Sequence, residues 1–151
     1  MVPADRVRPF RPSTFRGVRL GEGGAKLPLA WMRKTDRPKL RRSGESFAPT
    51  GQSWAVRTSV GLTGQSVEQG NKRWLETTDP DPDGGRAWIL ESDATVVEVE
   101  PKMPFGVKPD QKWFLVRITA GTLVAYKGPT PEYTTLVSPA PAVCPCRDRT
   151  R

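Results

Sequence analysis

Apolar and polar residues alternate along much of the chain beyond residue 50, and Gly, Asn, Asp or Pro interrupts the alternation at short intervals. Strand-length runs separated by turn residues at roughly eight- to twelve-residue spacing are typical of small all-β barrels and sandwiches. No stretch shows the period of a long amphipathic helix. We therefore predict a mainly β fold, with strands at Trp54–Ser59, Trp74–Thr78, Ala87–Glu91, Thr95–Glu100, Trp113–Thr119, Leu123–Tyr126 and Tyr133–Val137.

The last three predicted strands form a meander, because reversals at Ala120-Gly121 and at Lys127-Gly-Pro-Thr-Pro131 separate them. Within the first of them, one parity carries Phe114, Val116 and Ile118 and is wholly apolar, whereas the other parity contains Arg117. Since alternate side chains point to opposite faces of a strand, we expect the wholly apolar parity to face a core.

The N-terminal part of the chain has a different composition, rich in Pro, Gly and basic residues, with one apolar knot at 27–32. We interpret residues 1–43 as a basic arm or linker and residues 44–100 as a small β-barrel module. A proline-rich linker at 101–111 then leads to the meander at 112–138 and a tail at 139–151.

The net charge of +8 lies entirely in residues 1–50, which hold twelve Lys and Arg against four Asp and Glu. These basic residues are scattered among prolines without the interleaved aromatic residues of a base-stacking surface, so we expect a solvated arm and no nucleic-acid partner. Contact with an anionic cell-surface polymer and nucleic-acid binding through the arm both stay open as alternatives.

Several kinds of chemistry are excluded by residue content. The chain has no histidine, which removes Ser-His-Asp and Cys-His catalysis and His-ligated zinc. Its two cysteines, Cys144 and Cys146, cannot form a four-ligand zinc site by themselves. We therefore predict no catalytic residue, no metal site and no cofactor in this chain. No apolar stretch approaches the roughly 18 residues of a membrane-spanning helix.

An acidic segment, Asp79-Pro-Asp-Pro-Asp83-Gly84, begins like a calcium-binding loop, but its twelfth position is Leu90 instead of glutamate. Its place between two predicted strands favours a hairpin turn. The five tryptophans are best explained as anchors of small cores. Trp74 and Trp88 flank the acidic turn, and we select them as binding residues if the chain has a ligand groove.

Two segments resemble known families. The run Asn71-Lys-Arg-Trp-Leu-Glu-Thr-Thr, the Asp-Pro-Asp-Gly turn and Gly85-Arg-Ala-Trp-Ile-Leu-Glu-Ser92 resemble the latter half of a bacterial Src-homology-3-like domain. Residues 112–138 are similar to the opening of the L,D-transpeptidase catalytic domain. The matching positions are Leu123, Ala125, Tyr126, Gly128, Thr134, Thr135, Val137 and Ser138.

The resemblance implies peptidoglycan and its stem peptides as partners, a periplasmic or cell-envelope location with a signal sequence upstream, and peptidoglycan cross-linking by a cysteine nucleophile with a histidine base. In that family both residues lie further downstream, in a Ser-His-Gly-Cys-type motif that this chain does not contain. After Ser138-Pro139 the chain departs from the family pattern, and we hypothesise a frameshifted, truncated gene product without transpeptidase activity.

A rival interpretation is a non-catalytic module that binds the cell wall or another protein. In both cases the apolar face of the meander lacks the later strands that cover it in the complete family. We expect this face either to pack against the first β module or to stay exposed.

Overall fold

Eleven β-strands make up the fold over residues 14–21 and 23–138, the part of the chain that the computed structural model describes. The expectation of a mainly β protein is confirmed. A 3-10 turn at Glu91–Asp93 separates two of the strands. The strands are β1 (Val18–Arg19), β2 (Leu29–Met32), β3 (Arg37–Ser43), β4 (Ser46–Trp54), β5 (Ser59–Gln69), β6 (Lys72–Pro80), β7 (Arg86–Leu90), β8 (Ala94–Val97), β9 (Lys112–Arg117), β10 (Thr122–Lys127) and β11 (Thr130–Leu136).

The strands form two antiparallel sheets. One sheet has four strands in the order β1-β11-β10-β9, and the other has seven in the order β4-β3-β7-β6-β5-β2-β8. Because β4 and β8 end the larger sheet without pairing to each other, the described residues contain an open sheet, and the closed barrel expected for residues 44–100 is not formed. The meander at the end of the chain is present as β9, β10 and β11.

Strand β2 lies between two hydrophobic cores, and all four of its residues are buried. Ala30 and Met32 contribute to the core of the seven-stranded sheet. Leu29 and Trp31, which point the opposite way, contribute to a second core. A strand that is covered on both faces carries a continuous apolar sequence, which explains the Leu-Ala-Trp-Met run.

The second core contains side chains from both sheets, and we call it the shared core. Its buried members are Leu29, Trp31, Val97, Trp113, Val124 and Tyr126. Trp113 and Tyr126 stack with ring centroids 4.3 Å apart, and the Trp113 indole N–H donates to the Gly128 carbonyl at 2.7 Å. The Tyr126 hydroxyl accepts the Glu100 backbone N–H at 2.9 Å. The meander therefore packs against the rest of the protein through the face that carries Trp113, Val124 and Tyr126.

The predicted orientation of β9 is wrong. Trp113 is buried, whereas Phe114, Val116 and Ile118 are 66%, 49% and 70% exposed. The parity with the large indole enters the shared core, because Trp113 gains both a stacking partner and a hydrogen bond there. The wholly apolar parity is left on the open face of the four-stranded sheet.

The N-terminal part of the chain also differs from the expectation of an arm or linker up to residue 43. Strands β1, β2 and β3 all lie within it, and β2 pairs with both β5 and β8. Strand β3 pairs with β4 and contacts β7 at Leu40. Residues 1–13 and the tail at 139–151, with Cys144 and Cys146, lie outside the described residues.

The strand predicted at Trp54–Ser59 is wrong as well. Strand β4 ends at Trp54, β5 begins at Ser59, and a turn joins them. The Thr58 N–H donates to the Ala55 carbonyl at 3.3 Å, and Arg57 adopts a left-handed φ of 64°, which lies outside the extended range of regular strand backbone.

Candidate aromatic binding face

Both tryptophans selected from the sequence lie on the outer face of the seven-stranded sheet. On β7, Ala87 and Ile89 enter the core, so Trp88 between them points to the other face. On β6, Leu75 is in the core and Trp74 precedes it on the outer face. The two strands are antiparallel neighbours, so the hairpin brings Trp74 and Trp88 to one side of the sheet.

A third aromatic residue, Phe47 on β4, joins the two tryptophans. Its ring is stacked on Trp74, with centroids 4.6 Å apart and planes 5° apart, and meets the edge of Trp88 at 5.5 Å. We call Phe47, Trp74 and Trp88 the aromatic cluster. Sequence reasoning missed Phe47, because no strand was predicted before residue 54, and the only signal was an aromatic side chain among Ser, Ala and Pro.

Charged groups of both signs border the aromatic cluster. The Arg42 guanidinium lies 5.4 Å from the centroid of the Trp88 ring, in cation–π geometry, and its Nε donates to the Gly44 carbonyl at 2.9 Å. Glu76 lies opposite Trp88 in the β6–β7 register, and its carboxylate accepts the Thr63 hydroxyl at 2.7 Å. Trp88 is only 6% exposed, so the accessible apolar surface of the cluster comes mainly from the half-buried Phe47 and Trp74, beside the Arg42 cation and the Glu76 carboxylate.

The acidic segment between β6 and β7 forms the predicted hairpin turn. The Asp81 N–H donates to the Gly85 carbonyl at 3.1 Å, and Gly84 and Gly85 both have positive φ. Asp81 accepts two hydrogen bonds from Arg41, at 2.6 Å from Nε and 2.7 Å from Nη2, and Arg41 also contacts Asp83 at 2.6 Å. The Arg41 hydrogen bond, aided by the Asp83 backbone N–H, lowers the pKa of Asp81 from 3.8 to about 2. The same hydrogen bond raises the pKa of Arg41.

The carboxylates of this turn are neutralised by basic side chains of β3 instead of facing an ion. Besides the pair of Arg41 with Asp81, Asp79 accepts hydrogen bonds from Lys39 at 3.2 Å and from the Trp54 indole N–H at 3.1 Å. Across residues 14–21 and 23–138, no group of three or more His, Cys, Asp or Glu side chains is arranged to hold a metal. The turn acts as an anchor for β3 at the border of the aromatic cluster.

The same ion pairs change the interpretation of the basic residues between positions 33 and 42 of the predicted arm. Arg37 lies 3.5 Å from Asp93, and Lys39 and Arg41 pair with the acidic turn. These cations are therefore engaged within the protein and do not form a free stripe for a polyanion. Arg42 differs from them, because its recorded partners are a backbone carbonyl and the Trp88 ring.

This arrangement supports binding. The chain contains no histidine, so a nucleophile activated by a neighbouring imidazole is excluded. In the described part of the chain, no helix has the length and apolar character required to cross a membrane. The chain matches no family model, and neither the curated proteins nor the solved structures include a match to it.

Proposed function

We propose that this chain is a non-catalytic peptidoglycan-binding unit of a cell-envelope protein related to the L,D-transpeptidases, and that it binds through the aromatic cluster. The observation that carries the proposal is the stack of Phe47 on Trp74 beside Trp88, with Arg42 above the Trp88 ring. The similarity of residues 112–138 to the start of a transpeptidase domain supports the choice of the cell wall as the target.

The chemistry of the face suits that polymer. Glycan strands present apolar C–H faces, which pack on flat aromatic rings, between polar hydroxyl groups. Stem peptides carry free carboxylates, for which the planar Arg42 guanidinium is a suitable donor, and amines that can pair with the Glu76 carboxylate. Ligand sites commonly combine such an apolar surface with a few fixed polar groups.

The proposal excludes transpeptidase activity for these 151 residues. Cross-linking by this family needs a thiolate and a base, and the chain supplies no imidazole. We expect the full chain to bind purified peptidoglycan without forming an acyl-enzyme with a stem-peptide donor.

A pull-down of the full chain on purified peptidoglycan tests the proposal. Phe47→Ala removes the ring that joins the two tryptophans, and Phe105→Ala is the matched control, because Phe105 is fully exposed outside the aromatic cluster. We expect Phe47→Ala to weaken retention about tenfold, which corresponds to the loss of one aromatic anchor, and Phe105→Ala to bind peptidoglycan like the wild type.

A second pair of variants tests the charge. The retention of Arg42→Gln on peptidoglycan is compared with that of Arg33→Gln, which removes an exposed arginine on a different segment. Circular dichroism confirms that each variant is folded. Equal retention of Phe47→Ala and Phe105→Ala, or no retention of the wild type, overturns the proposal.

A further inference from the structure

The open face of the four-stranded sheet carries a row of exposed apolar side chains on its edge strand. Phe114, Val116 and Ile118 share one face of β9 and its extension, and they are 66%, 49% and 70% exposed. The row continues onto the neighbouring strand, because Ala125 pairs with Phe114 and Leu123 pairs with Val116. We call Phe114, Val116, Ile118, Leu123 and Ala125 the apolar row.

The next cross-strand pair on the same face consists of two like charges. Lys112 on β9 lies directly opposite Lys127 on β10, and both are exposed. Like charges at directly opposed positions of a sheet destabilise it. Within the described residues, no carboxylate forms an ion pair with either lysine.

A third cation borders the row on its far side. Tyr133 on β11 pairs with Ala125, and Arg19 on β1 pairs with Tyr133, so Arg19 lies on the same face and is exposed. Residues 101–138 as a whole hold five Lys and Arg against two Asp and Glu, a net charge of +3. The apolar row is thus bordered by positive charge on two sides.

We propose that this face binds the surface of an anionic lipid bilayer. The apolar row inserts at the boundary between head groups and acyl chains, and Lys112, Lys127 and Arg19 contact the acidic head groups. The partner relieves the repulsion between the two lysines and covers the exposed apolar side chains. This inference is independent of the aromatic cluster, which lies on the other sheet.

Charge distinguishes this partner from a second copy of the chain. A second copy that covers the apolar row also brings its own Lys112 and Lys127, so each copy adds two positive charges without a carboxylate partner to the contact. An anionic lipid surface supplies the opposite sign over an extended plane, which matches side chains presented on an open sheet.

Flotation of the full chain with vesicles tests the inference. Vesicles of phosphatidylcholine mixed with phosphatidylglycerol are compared with vesicles of phosphatidylcholine alone. We expect the wild type to float with the anionic vesicles, and Phe114→Ser with Ile118→Ser to weaken this binding at least about tenfold by removing the inserted side chains. The two substituted residues are exposed, so the variant keeps the fold.

Reversal of the charges of Lys112 and Lys127 tests the electrostatic contribution to vesicle binding. Lys112→Glu with Lys127→Glu weakens binding at least about tenfold, since each basic residue near an anionic surface contributes roughly a factor of five. The matched control is Lys26→Glu with Lys72→Glu, which makes the same change in net charge at exposed sites elsewhere. The control therefore separates this face from the general attraction of a basic protein.

Three outcomes of the flotation experiments overturn the inference. They are the absence of wild-type binding to anionic vesicles, equal losses for the two charge-reversed variants, and undiminished binding of the Phe114→Ser and Ile118→Ser variant. A concentration-dependent dimer that this variant abolishes, measured by light scattering, also overturns it by assigning the face to a second copy. The variant with Phe114→Ser and Ile118→Ser is expected to bind peptidoglycan like the wild type. A failure of the lipid-binding inference can therefore be distinguished from a failure of the proposed peptidoglycan binding.

Discussion

Two valines on adjacent strands of the four-stranded sheet allow a direct test of which face is buried. Val124 on β10 is 3% exposed and belongs to the shared core, whereas Val116 on β9 is 49% exposed on the opposite face. Valine to alanine is the same chemical change at both sites, so burial is the main difference between the two variants.

The structure gives the expected size of each loss. The change removes two methyl groups, which at about 0.8 kcal/mol each gives roughly 1.6 kcal/mol of lost burial at a fully enclosed site. Space left unfilled between the two sheets adds about 1 kcal/mol, because Trp113, Tyr126 and Trp31 are held by other contacts. We expect Val124→Ala to lower the free energy of unfolding by about 2.5 kcal/mol and Val116→Ala by at most about 0.5 kcal/mol.

Urea unfolding followed by tryptophan fluorescence and circular dichroism measures both values. With a slope of about 1.5 kcal/mol per molar urea, Val124→Ala shifts the midpoint by about 1.7 M, and Val116→Ala shifts it by at most about 0.3 M. The measurement is made at two protein concentrations, so that self-association does not enter the comparison. Equal shifts, or a larger shift for Val116→Ala, refute the orientation of the sheet.

Three further predictions concern single contacts. The pKa of Asp81 is about 2 in the folded protein and 3.8 ordinarily. Its pairing with Arg41 therefore stabilises the fold above pH 3.8, and this stabilisation is lost as the pH falls toward 2. The melting temperature of Asp81→Asn is expected to depend less on pH in that window than the melting temperature of the wild type. Tyr126→Phe leaves the Glu100 N–H without its acceptor and is expected to lower the free energy of unfolding in urea by about 1 kcal/mol. Tyr126→Ala also removes the ring and is expected to lower it by about 3 to 5 kcal/mol. Equal losses for the two variants contradict this prediction. Gly128 has a φ of 53° and lies against the Pro109 carbonyl, whereas Gly106 has a φ of 83° and open space around it. Gly128→Ala is therefore expected to lower the melting temperature more than Gly106→Ala.

The strands that the sequence predicts best are those whose partner is the next strand along the chain. Strands β6 and β7, and then β9, β10 and β11, follow one another through short turns, so local alternation and turn residues suffice to predict them. The buried face of β9 could not be predicted in this way. Both of its parities contain apolar residues, and the choice between them depends on Tyr126 and Gly128, which contact Trp113 from outside the strand.

Strand β3 was missed because the groups that neutralise its charges come much later in the sequence. Lys39 and Arg41 resemble part of a solvated linker when only their neighbours are considered, yet they pair with Asp79 and Asp81. Long-range ion pairs of this kind leave no local pattern. The acidic turn was correctly predicted as a hairpin, but its role as the anchor of β3 could not be.

The candidate site, too, could be predicted from local patterns only in part. Alternation on β6 and β7 predicts that Trp74 and Trp88 share one region of the sheet. Phe47 enters the aromatic cluster only through the β3–β4 hairpin, whose strands the sequence analysis did not predict. The sequence therefore predicts Trp74 and Trp88 as site residues, but it does not predict Phe47, whose ring joins them.

The position of β2 has a consequence for synthesis and folding. This strand leaves the ribosome before its hydrogen-bond partners, which are residues 59–61 and 94–97, and before residues 113–126, whose side chains cover its Trp31 side. Until those segments have been made, the Leu-Ala-Trp-Met run lacks its hydrogen-bond partners on both edges. The nascent chain therefore carries an incompletely paired, aggregation-prone segment until residues 94–97 have been made, and its folding is limited by contacts of large sequence separation.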